Sequence, residues 1–135
     1  MLYFTNSFGP DPDAARAAFK QCGKLLNAAA VKESAIVVPQ KSNLDGIIQE
    51  ILGESAIKIL SKNNFLDLNG AMIKLFTKRN MPNSFDGPML AIYVALEQLA
   101  DLIKACPRAN IIYVPWTEDE KISFMKTYAG KQIFP

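Results

Sequence analysis

Four short aliphatic or β-branched runs, Leu2 to Thr5, Ala35 to Val38, Met72 to Thr77 and Asn110 to Val114, each lead through a polar turn toward a segment with apolar residues at helical spacing. Strands alternating with helices in this way build βαβ units, and such units assemble into a parallel sheet. After the first run come the turn residues Asn6 to Pro10. Asp11 then reads as an N-cap, with Pro12 at the first helical position and Asp13 in the first turn, where its charge suits the helix dipole. Ala15, Ala18, Phe19, Cys22, Leu25, Leu26 and Ala29 recur at three- and four-residue steps, so this helix carries one apolar stripe with Arg16, Lys20 and Lys24 largely opposite.

The run Ala35-Ile36-Val37-Val38 is apolar without interruption, as a parallel strand covered on both faces requires. Ser42 and Asp45 have capping-box spacing ahead of a helix that carries Leu44, Ile47, Ile48, Ile51 and Leu52 and ends at Gly53. Between Glu54 and Gly70 the pattern admits two readings. Ala56, Ile57, Ile59 and Leu60 fit a short helix, which we favour, while Asn63-Asn64 and Asn69-Gly70 are turn signals for a hairpin insertion. Asp86-Gly87-Pro88 reads as the start of the next helix, with Met89, Ile92, Tyr93, Leu96, Leu99, Ala100 and Ile103 on its apolar face and Cys106-Pro107 as its stop. Thr117 and Glu120 form a second capping-box pattern before a last helix reaching Ala129, with Gly130 as its C-cap.

Together these elements predict one domain over residues 1–135, a three-layer α/β/α arrangement whose mainly parallel four-stranded sheet has the order 2-1-3-4. This layout resembles small Rossmann-like or flavodoxin-like domains, without a specific motif of either, and a shared layout assigns no function. It does place a site. The ligand crevice of an open parallel sheet lies beyond the carboxyl ends of the strands, where successive crossovers part to opposite faces. In the order 2-1-3-4 that point falls between the first and third strands. Thr5, Asn6, Ser7 and Gly9 would then face Lys78, Arg79, Asn80, Ser84 and Gly87. Small hydroxyl and amide groups, a glycine, free N–H groups at a helix start and two cations are a chemistry that suits an anion. The same residue types also serve plain turn geometry, and Asp11 and Asp13 would repel a phosphate brought to the helix start.

Composition narrows the chemistry. Half of the 135 residues are hydrophobic and 21% are charged, which allows one ordinary core. The net charge is only +2 and the basic residues are scattered, so neither nucleic acid nor a membrane surface is an expected partner. The chain has no histidine, which removes Ser-His and Cys-His nucleophile pairs and a histidine base. Cys22 and Cys106 stand apart without a C-x-x-C companion, read as buried small hydrophobes, and leave no zinc motif. No carboxylate sits at the first or third strand end to hold magnesium, and neither G-x-G-x-x-G nor G-x-x-x-x-G-K-S/T occurs, so no cofactor is specified. Glu118, Asp119 and Glu120 follow the preference of acids for helix starts. With no basic segment ahead of the first apolar run and no apolar stretch near the ~20 residues of a membrane span, the expected location is the cytoplasm.

Aromatic residues near the last helix exceed the needs of one face. Ile122, Met125 and Ala129 are set toward the sheet, while Phe124 and Tyr128, four apart, define a second stripe close to Trp116. Either the tail Ile133-Phe134-Pro135 folds back over that stripe or a second subunit covers it, which would make Trp116, Phe124 and Tyr128 a homodimer interface. The expected function is binding, of a small anionic or nucleotide-like ligand at the strand edge or of a protein partner. The alternative is a small histidine-free enzyme acting on a phosphorylated or nucleotide-like substrate, with Ser7, Lys41, Lys78 or Arg79 for polarisation and positioning.

Overall fold

In a computed structural model, which describes residues 1–135, all four aliphatic runs are strands of one sheet, joined there by three strands that the spacing hides. The elements are β1 (Leu2–Thr5), α1 (Pro12–Ala28), β2 (Glu33–Val37), a 3-10 turn (Lys41–Leu44), α2 (Ile47–Leu52), α3 (Glu54–Asn63), β3 (Phe65–Leu68), β4 (Ala71–Phe76), β5 (Pro88–Ile92), α4 (Leu96–Ala105), β6 (Asn110–Val114), α5 (Glu118–Thr127) and β7 (Lys131–Phe134). The sheet is mixed, seven-stranded and ordered β3-β4-β2-β5-β6-β1-β7, with every neighbouring pair parallel except β3 with β4. No helix is long and apolar enough to cross a membrane.

Successive residues along each strand serve opposite cores, as period-two alternation requires. Ile36, Leu90 and Ile112 pack on one side against Ala15 and Ala18 of α1, Ile48 of α2 and Leu60 of α3. Val37, Met89 and Tyr113 pack on the other against Leu99 and Leu102 of α4 and Phe124 of α5. Connections that move toward β4 run over the first face and those that move toward β7 over the second, so all crossovers share one hand.

The expected four-stranded sheet of order 2-1-3-4 is therefore corrected, and each added strand has a physical reason. Residues 88–95 contain no charged or amide side chain, and only the Tyr93 hydroxyl is polar, so a central strand buried on both faces matched the apolar positions of a helix at every step; α4 begins only at Leu96. Between Glu54 and Gly70 the favoured helix forms as α3 and takes in Ile57 to Leu60, which the alternative reading would make a strand; of the turn signals, Asn69-Gly70 closes a β3–β4 hairpin, where both residues have positive φ as this tight turn needs. The tail folds back as β7 and pairs in parallel with β1.

Capping is right at two helices and shifted at a third. Asp11 accepts from the Ala14 amide at 3.0 Å, and Thr117 and Glu120 exchange the bonds of a capping box. Before α2, however, Gln40 and Asn43 form the box, and Asp45 merely closes the 3-10 turn. Packing on Phe4 and Tyr113 sets α5 in the phase opposite to the expected one. Phe124 lies fully inside, with its ring centroid 5.4 Å from that of Phe4 and 5.1 Å from that of Tyr113, whereas Ile122 and Met125 are 40% and 46% exposed. Gly130 is not the C-cap, a position held by Tyr128. A Cβ at 130 would press on the Phe124 and Phe4 rings, so glycine is needed there for close packing.

Both cysteines are free thiols. Burial pushes the Cys22 thiol from its ordinary 9.0 up to about 12, which leaves it protonated and unreactive near neutrality. A folded-state value above the unfolded one means stability is complete below the unfolded value and is lost as pH rises through the folded one. Burial also raises Tyr93 and Tyr113 from 10.0. Burial raises the Cys106 thiol from 9.0 as well, so denaturant unfolding should show stability falling from pH 9.0 toward about 12, and in Cys22→Ala the fall should begin at the same pH but be shallower. Unchanged pH profiles for the two proteins would contradict this.

Candidate functional site

Crossovers that leave β1 and β2 cover one face of the sheet, while those that leave β5 and β6 cover the other. Two adjacent strand pairs, β2 with β5 and β6 with β1, therefore part at their carboxyl ends, as β4 does from β2 once the 77–87 connection turns onto the second face. The second parting is sealed by the first loop. The Gly9 amide donates to the Trp116 carbonyl at 2.6 Å and the Asn6 amide to the Phe134 carbonyl at 3.0 Å, while the buried Thr5 and Ser7 join their hydroxyls 2.8 Å apart. The Asn6 and Gly9 amides and the Thr5 and Ser7 hydroxyls are thus committed within the protein. That corrects the placement of Thr5, Asn6, Ser7 and Gly9 opposite the third run, since β1 lies between β6 and β7, far across the sheet from β4.

The β2/β5 parting stays open, and three adjoining cavities of about 500, 900 and 400 Å³ all share Pro39. Pro39 is held from both sides. Ladder bonds continue past the strands, Val38 donating to the Phe76 carbonyl at 3.1 Å and Lys78 to the Pro39 carbonyl at 3.2 Å, so the backbones after β2 and β4 run on together. Gln98, buried in the first turn of α4, donates from Nε2 to the Val38 carbonyl at 3.2 Å. That carbonyl faces away from water and would otherwise lack a partner. Gln98→Leu should cost about 1–3 kcal/mol in thermal unfolding, because an unpaired buried acceptor remains; a neutral change would remove Gln98 from this role.

The largest cavity is a cationic basin. Lys41, Lys78 and Arg79 line it together with polar groups such as Gln40, Thr77 and Asn80, and no acidic residue does. None of the three cations takes part in an ion pair. Lys41 reaches over α3 to donate to the Ser61 carbonyl at 2.8 Å. Thr77 and Asn80 bridge across the tight turn that presents Lys78 and Arg79.

Beside the basin, the 500 Å³ cavity is walled by Pro10, Pro39, Ile47, Tyr93 and Trp116 and edged by Ser42, Asn43 and Asp45. Tyr93 and Trp116 meet edge to face, with ring centroids 4.8 Å apart, and Trp116 is 46% exposed. Tyr93 follows the last residue of β5 with φ at 63°, a left-handed conformation that costs a bulky residue roughly 1–2 kcal/mol. Its amide donates to the Val114 carbonyl at 2.9 Å, which holds the backbone in place. Its hydroxyl is buried and unpartnered. Burial raises the phenol above its ordinary value; the nearby Asp11 amide offsets part of this without a well-formed hydrogen bond, and the Asp11 carboxylate adds to it. Removing the hydroxyl in Tyr93→Phe should stabilise the fold by about 1 kcal/mol, read as a higher Tm, because an unsatisfied buried polar group is lost. A lower Tm would reveal a bond.

Of the residues singled out by sequence, Lys41, Lys78, Arg79 and Asn80 come together at the basin. Ser84 and Gly87 do not. They sit at the opposite, amino edge of the sheet beside Glu33 and Arg108, because residues 77–87 cross the whole sheet as an irregular connection with Met81 and Phe85 in the core. Trp116 belongs to the crevice wall, Phe124 is interior, and Tyr128 stacks on Phe124 at 5.2 Å, so these three do not form one outward surface. Tyr93 and Pro39 were missed as site residues, and of the Gln40–Asn43 turn only Lys41 was named. Their signal was the unbroken apolar run at 88–95, which marks a central strand and so puts Tyr93 at a strand end.

No group of three His, Cys, Asp or Glu side chains is placed to hold a metal ion. Set against known proteins, the chain matches no family model, no curated protein and no solved structure.

Proposed function

We propose that this α/β protein is a binding module for a small anionic ligand, taken at the carboxyl edge of the sheet beyond the paired ends of β2 and β4. One observation carries the reading: three cations, Lys41, Lys78 and Arg79, line a cavity of about 900 Å³ that no acidic side chain lines. Lys41 is tied to the Ser61 carbonyl, but Lys78 and Arg79 form no ion pair and no side-chain hydrogen bond in the fold, and phosphate or carboxylate is the group that best accepts charge-assisted bonds from Lys and Arg. Lys78 is anchored through its own amide to Pro39, so its ammonium projects from a fixed backbone.

Thermal unfolding in the presence of inorganic phosphate, pyrophosphate or ribose 5-phosphate, against chloride at equal ionic strength, tests the reading. At ten times Kd the bound anion should raise Tm by about 4 °C. No rise with any of the three would overturn it.

A further inference from the structure

Resting on the anion reading, we infer that the ligand is a nucleoside phosphate, whose base enters the slot beside Tyr93 and Trp116 while its phosphate sits in the basin of Lys78 and Arg79. The two cavities are not independent. They share Pro39 and Ser42, so they adjoin and one small molecule can reach into both.

The slot has the chemistry of a flat heteroaromatic ring rather than of an aliphatic chain or a second anion. Proline rings and the Tyr93–Trp116 pair give broad apolar faces, and the edge is polar, with Ser42, Asn43 and Asp45 grouped on one side. A base needs that division, stacking on its faces and hydrogen bonding at its rim. Asn43 already accepts from the Gln40 amide through Oδ1, which leaves its amide nitrogen to donate toward a ring acceptor. Asp45 has no ion-pair partner and supplies an acceptor for ring N–H groups. A second anion is excluded by that same carboxylate.

Tyr93 marks the slot from its backbone. A bulky residue with φ at 63° is retained only where its surroundings hold it, and such strain collects at ligand sites. Here the strained residue sets one aromatic wall against the half-exposed indole of Trp116, whose open face nothing in the fold covers.

Isothermal titration of the full chain with the four common ribonucleoside 5′-monophosphates, ribose 5-phosphate and inorganic phosphate separates the parts. At least one mononucleotide should bind roughly tenfold or more tighter than ribose 5-phosphate, since a stacked base is worth that much. Trp116→Ala, at a half-exposed position that the fold tolerates, should erase this preference while leaving ribose 5-phosphate affinity within about twofold. If ribose 5-phosphate binds as tightly as every mononucleotide, the base slot is wrong and the anion basin stands. If none of the phosphates binds, the basin itself is refuted, and the slot with it.

Discussion

Replacing Lys78 and Arg79 together with alanine is expected to weaken pyrophosphate binding about 100-fold at low ionic strength, with Tm of the free protein changed by less than about 2 °C. Each charge-assisted hydrogen bond contributes about 1.5–3 kcal/mol. Both side chains are partly solvated, so the lower value applies, and two such contacts sum to about 3 kcal/mol. The fold should not notice, because neither side chain is buried or ion-paired. Raising salt should weaken the parent protein's binding and affect the double variant far less, since screening acts on exposed charges. Equal affinity in the two proteins would show that the anion, if bound, is held elsewhere.

Gly87→Ala is expected to be among the most damaging single changes, lowering stability by roughly 3 kcal/mol or more and Tm by roughly 10 °C. A Cβ there would overlap the backbone carbonyl of Glu33, and a backbone atom cannot swing aside as a side-chain end can. The start of β5 would have to move off β2, breaking a register that pairs Ala35 with Met89 and Ile36 with Leu90 at the centre of the sheet. The same change discriminates between two roles for this glycine. A ligand-contacting glycine would lose binding with stability intact, whereas the close strand approach predicts lost stability; chemical denaturation of Gly87→Ala decides between them.

What the sequence made legible was local. Asp11, Thr117 and Glu120 announce their caps because capping depends only on residues three apart, and the apolar runs announce strands because burial on both faces leaves no polar position. Strand order is not local. Whether α1 returns the chain to the neighbouring strand or carries it past β6 and β5 to β2 is settled by which faces remain uncovered, and no spacing within α1 encodes that. The consequence for the site was direct. Lys78, Arg79 and Asn80 were found because unpaired cations in a strand-end loop are visible in the text of the chain, but they were set opposite the wrong loop. Their true neighbours, Lys41 and the Pro39 backbone, became adjacent only once β4 was known to lie beside β2. Tyr93 was hidden for a different reason. The eight-residue apolar run at 88–95, whose first five residues form β5, satisfies helical periodicity by satisfying every periodicity, so the residue just past the strand looked like one more helix-face aromatic. On α5 the error was one of phase, since Ile122 with Met125 and Phe124 with Tyr128 are equally plausible stripes until Phe4 and Tyr113 supply the surface that Phe124 fills.

The account turns on where an anion lands. Amide chemical-shift mapping of the labelled protein during titration with pyrophosphate answers this residue by residue. The largest shifts should fall on Lys41, Ser42 and the stretch from Thr77 to Asn80, saturating together. Shifts centred on Asn6 to Gly9, or on Ser84 to Gly87 at the far edge of the sheet, would contradict it, as would none at all.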